Sequence, residues 1–266
     1  MLIPALKSFW KYRDLITQFV RRDVVGRYKG SFLGLFWTFL NPLLMLTVYT
    51  FVFSSLFKAR WGTGGENKVE YALVLFAGLV VFNIFSEVIV RSPGLILSNT
   101  NYVTKVVFPL EILPVAVLGS SLIHAAISMS ILLVGLMLFL GVLQWTLFLL
   151  PIVMIPLILM ALGLGWILAS LGVFLRDLSQ IIAISVQALM LLSPIFYSIS
   201  SIPSNIKFIY YINPMSYVIE DTRRVVIWGQ MPQWTWLGIG TVIGVFICAI
   251  GYAWFQKSKS AFADVL

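Results

Sequence analysis

The 266-residue chain is 60% hydrophobic and only 11% charged, with a mean hydropathy of +0.99 and a net charge of +8. A soluble domain carries about twice that share of charge, so the composition excludes a separate soluble domain and marks a polytopic membrane protein. Its one cysteine, Cys248, excludes an internal disulfide. The positive excess follows from membrane topology, as shown below, and implies no nucleic-acid partner.

Residues 5–29 are expected to form an amphipathic helix. At 100° per residue, Lys7, Lys11, Asp14, Gln18, Arg21 and Arg22 share one side, while Leu6, Phe9, Trp10, Ile16, Phe19 and Val20 occupy the opposite arc. That division suits a helix lying in the membrane interface, as a working part or as an anchor on anionic lipid. Arg13 and Asp23 fall on the apolar arc and depart from the pattern. Charges spread through the segment argue against a cleavable signal peptide.

Six spans follow at about 33–57, 71–91, 111–142, 147–174, 180–199 and 235–255, each near or above the roughly 20 residues a bilayer requires. Pro114, Pro151 and Pro156 predict kinks or late starts in the third and fourth. With the N-terminus inside, twelve of the eighteen Lys and Arg residues lie on the inner side, seven of them before the first span. Both termini are therefore expected in the cytoplasm.

The connections are few. Residues 59–70 form a Gly-rich outer loop, 92–109 the main cytoplasmic loop, and 142–145 and 176–177 tight turns. In the cytoplasmic loop, Asn99 or Thr100 is placed to cap a short helix over 102–108 that Pro109 ends. Its mixed polar and apolar face suits docking in a partner's cleft, and equally an interfacial helix with no partner.

The stretch 193–234 is too polar and Pro-broken to cross a bilayer, yet too apolar for a solvent loop. Asn213 before Pro214 is a helix start, a capping residue followed by Pro at the first helical position. A second start lies near Ser204. Two short helices that dip into the membrane and return are predicted, and irregular backbone at that depth needs protein or a wet cavity around it.

Catalytic constellations are missing. The chain has no Gly-x-x-x-x-Gly-Lys-Ser/Thr phosphate loop, and one His with one Cys cannot build a metal cluster. His124 reads as a helix–helix hydrogen-bonding residue. Glu87 and Arg91 lie one turn apart and are expected to pair. So few intramembrane acids argue against an ion-coupled carrier, and energy is expected from elsewhere. Glu220 and Asp221 with Arg223 and Arg224 read as salt bridges around the outer segment rather than a transferase centre.

Aromatics are numerous, with 20 Phe, 10 Tyr and 9 Trp, enough to line a path as well as to populate interfacial belts. Phe32, Phe36, Phe39, Phe53 and Phe57 fall within about 100° on the first span, with Tyr49 just beyond, and Phe196 and Tyr197 end the fifth. Such rings bind the C–H faces of sugars, and equally they contact lipid. Ala161, Gly165 and Ala169, and Gly240 with Gly244, have the spacing of close helix contact within or between subunits.

The order of these features is that of a known family. A basic amphipathic N-terminal helix precedes a first span containing Trp37 and Asn41-Pro42, then the 99–109 loop, Ser193-Pro194-Ile195-Phe196-Tyr197, and Ile212-Asn213-Pro214-Met215-Ser216, with an acidic-basic run ending at Trp228-Gly229. Over essentially its whole length the chain resembles the membrane subunit of type-2 ABC exporters of polysaccharides, most of all the O-antigen permeases, with capsule and teichoic acid exporters also similar.

The resemblance implies an all-α integral membrane fold with six transmembrane helices, an interface helix at 5–29, and two re-entrant helices before the last span. It implies a multi-pass protein of the bacterial inner membrane, working as a homodimer with two ATP-binding cassette subunits that bind ATP and Mg. This chain itself would hold no cofactor. Residues 98–108, with Asn99, Asn101, Tyr102, Val103, Lys105 and Phe108, would couple to the ATPase. Residues 200–232, with Asn213, Pro214, Tyr217, Glu220, Arg223 and Arg224, would form a periplasmic gate. Phe32, Phe36, Trp37, Phe39, Tyr49, Phe53, Phe196 and Tyr197 would line the channel for a lipid-linked glycan. Arg13, Arg21, Arg22 and Arg27 would meet its pyrophosphate head, because guanidinium pairs well with phosphate. The same architecture exporting a drug or small lipid is the alternative, and a stand-alone channel or carrier a more distant one.

Overall fold

The computed structural model describes residues 2–27, 29, 32–52, 68–104, 108–199 and 202–265, and every regular element among them is helical. Phe53, Phe57 and Lys105, singled out from the sequence, lie outside the described residues.

The N-terminal segment is two helices rather than one. α1 (Leu2–Lys11) and α2 (Arg13–Gly26) meet at Tyr12, whose φ of −101° and ψ of 17° bend the path. The two halves have different anchors. Phe9 of α1 stacks on Trp166 at 5.9 Å, whereas α2 buries Phe19 and sets Val20 against Gly119.

After a 3-10 turn at Gly34–Phe36 comes α3 (Trp37–Thr50), then α4 (Lys68–Arg91), the short α5 (Thr100–Thr104) and α6 (Ile112–Leu140). α7 (Leu150–Phe174) and α8 (Leu178–Leu191) follow, then α9 (Phe208–Ile212), α10 (Pro214–Val226), α11 (Trp234–Ser258) and α12 (Phe262–Val265). The prolines cause little trouble: Pro114 falls in the first turn of α6 and Pro151 in that of α7, where no intrahelical N–H is lost. Pro156 lies inside α7, and Gly240 and Gly244 of α11 pack against it. α6 ends in left-handed Gly141, φ +67°, the usual helix stop.

Among the described residues, four segments are long and apolar enough to cross a bilayer: Val69–Gly94, Ile112–Leu140, Trp145–Phe174 and Trp234–Val265. The second, third, fourth and sixth expected spans correspond to them. The fifth does not fill its expected 180–199. α8 has 14 residues, about 21 Å of helix against the roughly 30 Å hydrocarbon core, and Ser193 to Phe196 continue as a buried irregular turn. Pro194 explains the stop, since the residue before a proline avoids the helical region.

α7 is the central post. Trp166 is fully buried, donates Nε1–H to the Glu111 carbonyl oxygen at 3.0 Å, and meets Tyr252 edge-on at 5.2 Å. α7 and α11 touch backbone to backbone. A Cβ on Gly163 would fall 2.5 Å from the Ile247 oxygen, and one on Gly251 would overlap the Gly163 carbonyl. In a membrane, where apolar burial drives helix association little, such close approach supplies the packing. Gly165 sits against Val88 and Ser92, so the small-residue stripes read from the sequence serve contacts within the subunit.

Candidate functional site

One end of the bundle is built on α2. Asp23, the residue that spoiled the amphipathic pattern, faces inward. It accepts from Arg91 Nη1 at 2.8 Å and Nη2 at 2.5 Å, and from Ser120 Oγ at 2.5 Å. Glu87 pairs with Arg91 at 3.0 Å, as the spacing predicts, and also with Arg27. Two cations, two anions and the Ser120 hydroxyl thus join α2, α4 and α6. Burial opposes ionisation of Asp23 most strongly, but the hydrogen bonds and charges of Arg91, Ser120 and Arg27 prevail and hold its carboxyl below the usual carboxylate range.

The four arginines expected at a lipid head group divide accordingly. Arg27 belongs to the ion cluster. Arg22 donates to Tyr102 Oη at 3.0 Å and lies over the Phe19 ring at 4.2 Å. Arg13 pairs loosely with Asp14 and covers Trp10, and Arg21 is exposed. Arg13 and Arg21 are the two that face outward.

The 92–109 loop forms helix earlier than its sequence suggests, as a 3-10 turn at Leu97–Asn99 and then α5. Asn99 donates back to the Leu95 carbonyl at 2.9 Å instead of capping forward. Tyr102 stacks on Phe108 at 4.6 Å, and both rings lean on Phe19 of α2, at 5.6 and 5.3 Å. Val103 packs on the core and Asn101 is exposed. The loop is therefore gripped by the same helix that carries the ion cluster.

At the opposite end, Asn213 caps α10, accepting from Met215 N–H at 3.0 Å with Pro214 at the first helical position, as the sequence predicts. Its Nδ2 also donates to Ser193 Oγ at 2.9 Å. The earlier short helix begins at Phe208, not near Ser204, because residues 204–207 are a turn. Arg223 is fully buried. Its guanidinium donates to the carbonyl oxygens of Val74 at 3.0 Å, Pro194 at 2.6 Å and Ile195 at 2.9 Å, with Glu220 at 3.6 Å. Gly78 leaves it room, since a Cβ there would lie 2.7 Å from Arg223 Nη2. The expected salt bridge thus exists but is secondary: two of the fork's bonds satisfy the Pro194 and Ile195 carbonyls that the broken helix leaves open, and the third ties that turn to α4. Asp221 instead accepts from Gln233 N–H at 2.9 Å, and Arg224 donates to the Met231 carbonyl at 3.4 Å. Tyr217 stacks on Trp236 at 4.6 Å.

The aromatics expected along a channel also separate. Phe32, Phe36 and Phe39 are exposed and Trp37 half-buried. Phe196 is 3% exposed, its ring against Tyr49 at 5.5 Å and its carbonyl accepting from Tyr71 Oη at 2.8 Å. Tyr197 is bound to Tyr210 Oη and donates to the Leu191 carbonyl at 2.5 Å. Phe196 and Tyr197 therefore fasten the turn after α8. Between α3, α4 and α6 lies a chamber of about 450 Å³. Asn41, Asn83, Ser86, Ser121, His124 and Ser128 are among its lining residues, with Arg27 and Glu87 at one end. Asn83, Ser86, Ser121 and Ser128 were not singled out from the sequence. An Asn deep in an apolar run was the signal available.

Residues 14–227 match the family described as ABC-2 type transporter. The chain belongs to that family. The match takes in the ion cluster, the α5 loop and the Arg223 lock of this ABC-2 membrane protein and stops before α11. Over 265 residues, 99% of both chains, it is 27% identical to the O-antigen export system permease protein RfbA of Myxococcus xanthus. Identity to a protein of the same name from Klebsiella pneumoniae is 26% over 95% of each chain. The polysialic acid transport protein KpsM of Escherichia coli is 25% identical, over 97% of this chain and 98% of its own. ABC-2 permeases are transport components rather than catalysts, which fits the absence of a phosphate loop from the full sequence.

Proposed function

We propose that this chain is the membrane subunit of an ATP-driven exporter that carries a lipid-linked polysaccharide, of the O-antigen type, across the bacterial inner membrane. The observation that carries this reading is that relatives named for O-antigen export and for polysialic acid transport both align over at least 95% of the chain. No inserted domain distinguishes it from either group.

In this reading two copies pair, with both termini in the cytoplasm and two separate ATP-binding cassette subunits beneath, which bind ATP and Mg. α3 and α8, the latter extended by the turn after Leu191, complete six spans and face the path of the glycan. Their exposed apolar rows, Phe39 and Leu43 on α3 and Ile181 and Ile184 on α8, support that placement. α9 and α10 form the re-entrant outer gate. Residues 98–108 seat in the ATPase, and the outward Arg13 and Arg21 meet the pyrophosphate head.

The test is to delete the gene and purify the tagged protein from its native membrane. Loss of surface polysaccharide, with intracellular polymer accumulating, and recovery of two copies with two ATPase subunits are expected. Intact surface glycan would overturn the substrate, and would shift the reading to export of a drug or small lipid. Recovery without any ATPase would overturn the transporter class.

A further inference from the structure

The chamber between α3, α4 and α6 lies on a different side of α3 from the exposed Phe39. Thr38, Asn41, Pro42, Met45 and Tyr49 line it. At 100° per residue that face is about 100° around the helix from Phe39. The chamber is thus a compartment separate from the aromatic row.

Its chemistry is unusual for this depth. Asn41 and Asn83 are exposed to open space, although Asn83 sits within the apolar α4. Neither carboxamide makes a hydrogen bond among the described residues. Thr38 Oγ1 is buried and has no hydrogen-bond partner there either. Polar groups within a span are costly and mark a functional path, and unsatisfied buried groups call for a partner.

The lining also selects among partners. The charges at its end, Arg27 and Arg91 against Asp23 and Glu87, cancel, so an anion finds no net attraction. Glu87 is held by two arginines, so a cation finds no free acid. An acyl chain would strand the amides and hydroxyls. A neutral polyol matches them, because each carboxamide both donates and accepts, as do the serine hydroxyls, and Tyr49 offers a ring face. The volume, about 450 Å³, lies within the roughly 300–1,000 Å³ of small-ligand sites.

We propose that this chamber is a side pocket that takes one neutral sugar unit of the glycan as it passes α3. This rests on the export reading and names a recognition site within it. Asn41 and Asn83 are its principal hydrogen-bonding residues.

The test uses the full transporter in cells that make its own polysaccharide. The pair Asn41→Leu with Asn83→Leu is expected to slow export about tenfold, as the loss of two hydrogen bonds to the substrate would. Assembly with the ATPase should be unchanged, and Asn41→Gln with Asn83→Gln should restore most of the rate. A photoreactive benzophenone side chain at Asn83 is expected to cross-link to polymer seen by a glycan-directed antibody, while one at the outward Val242 of α11 is not. Export at the normal rate by the Leu pair, as from a chamber that holds only water, would overturn the pocket. So would a Gln pair as defective as the Leu pair, or no cross-link at Asn83. A benzophenone at Phe39 reports separately on the export reading: a cross-link there without one at Asn83 leaves export standing and removes the pocket.

Discussion

Arg223 and Asp23 show what single residues do in this bundle. Arg223 closes three carbonyls from two elements with one planar fork, which a lysine amine cannot span. Arg223→Ala should therefore destabilise the folded protein by several kcal/mol, at about 1–3 kcal/mol for each polar group stranded, and Arg223→Lys should recover only part. Thermal unfolding in detergent reads both. Asp23 has its carboxyl pKa lowered on folding, so it stabilises the protein above its unfolded value of about 3.9. That contribution disappears as pH falls through the lower folded value. Melting temperature measured from pH 7 down to pH 3 should drop in the parent at the acid end and less in Asp23→Asn, which starts lower.

At the level of elements, contact between helices is decided by what is absent. Gly251→Ala places a methyl on the Gly163 carbonyl and should force α7 and α11 apart, so that little folded protein survives extraction. Gly238, on the same α11 but with open space at its Cβ, should accept alanine unchanged, and size-exclusion profiles of the two variants make the comparison. The loop and α2 form a second such unit. Stacking pairs are worth only about 0.5–1.5 kcal/mol, so Tyr102→Ala should cost little stability. It does release the loop from Phe19 and Arg22 together. ATP hydrolysis should then persist while export falls, and parallel assays on one preparation would show the split. Loss of both in proportion would mean that the grip of α2 on the loop has no part in transmission.

The whole molecule has two inward clusters at opposite ends, an apolar post between them, and apolar rows exposed along α3 and α8 as along α6 and α11. Alanine at Phe32, Phe36 and Phe39 together touches only exposed rings. It should stop export without loss of assembly, measured as surface glycan against recovered complex, and continued export would show that the aromatic row is not the track. The two ends are also linked, since α4 carries Glu87 and Arg91 at one end and, at the other, the Val74 carbonyl that accepts from Arg223.

Composition alone determined that the chain is a helical membrane protein, because apolar runs of that length have no other stable home. Capping chemistry determined the start of α10, since Asn213 and Pro214 satisfy a local requirement that needs no neighbour. The i,i+4 pairing of Glu87 and Arg91 was likewise local. What the tertiary structure decided lies where partners are distant in sequence. Asp23 looked like a flaw in an amphipathic helix until Arg91 and Ser120 came beside it. Arg223 looked like half of a surface salt bridge until the broken backbone at Pro194 supplied its acceptors. Phe196 and Phe39 are both membrane aromatics in the sequence, yet one is buried and the other exposed. Periodicity reports which side of a helix is apolar. It does not report whether that side meets protein, lipid or a chamber, because in a bilayer all of its surroundings but the last are equally apolar.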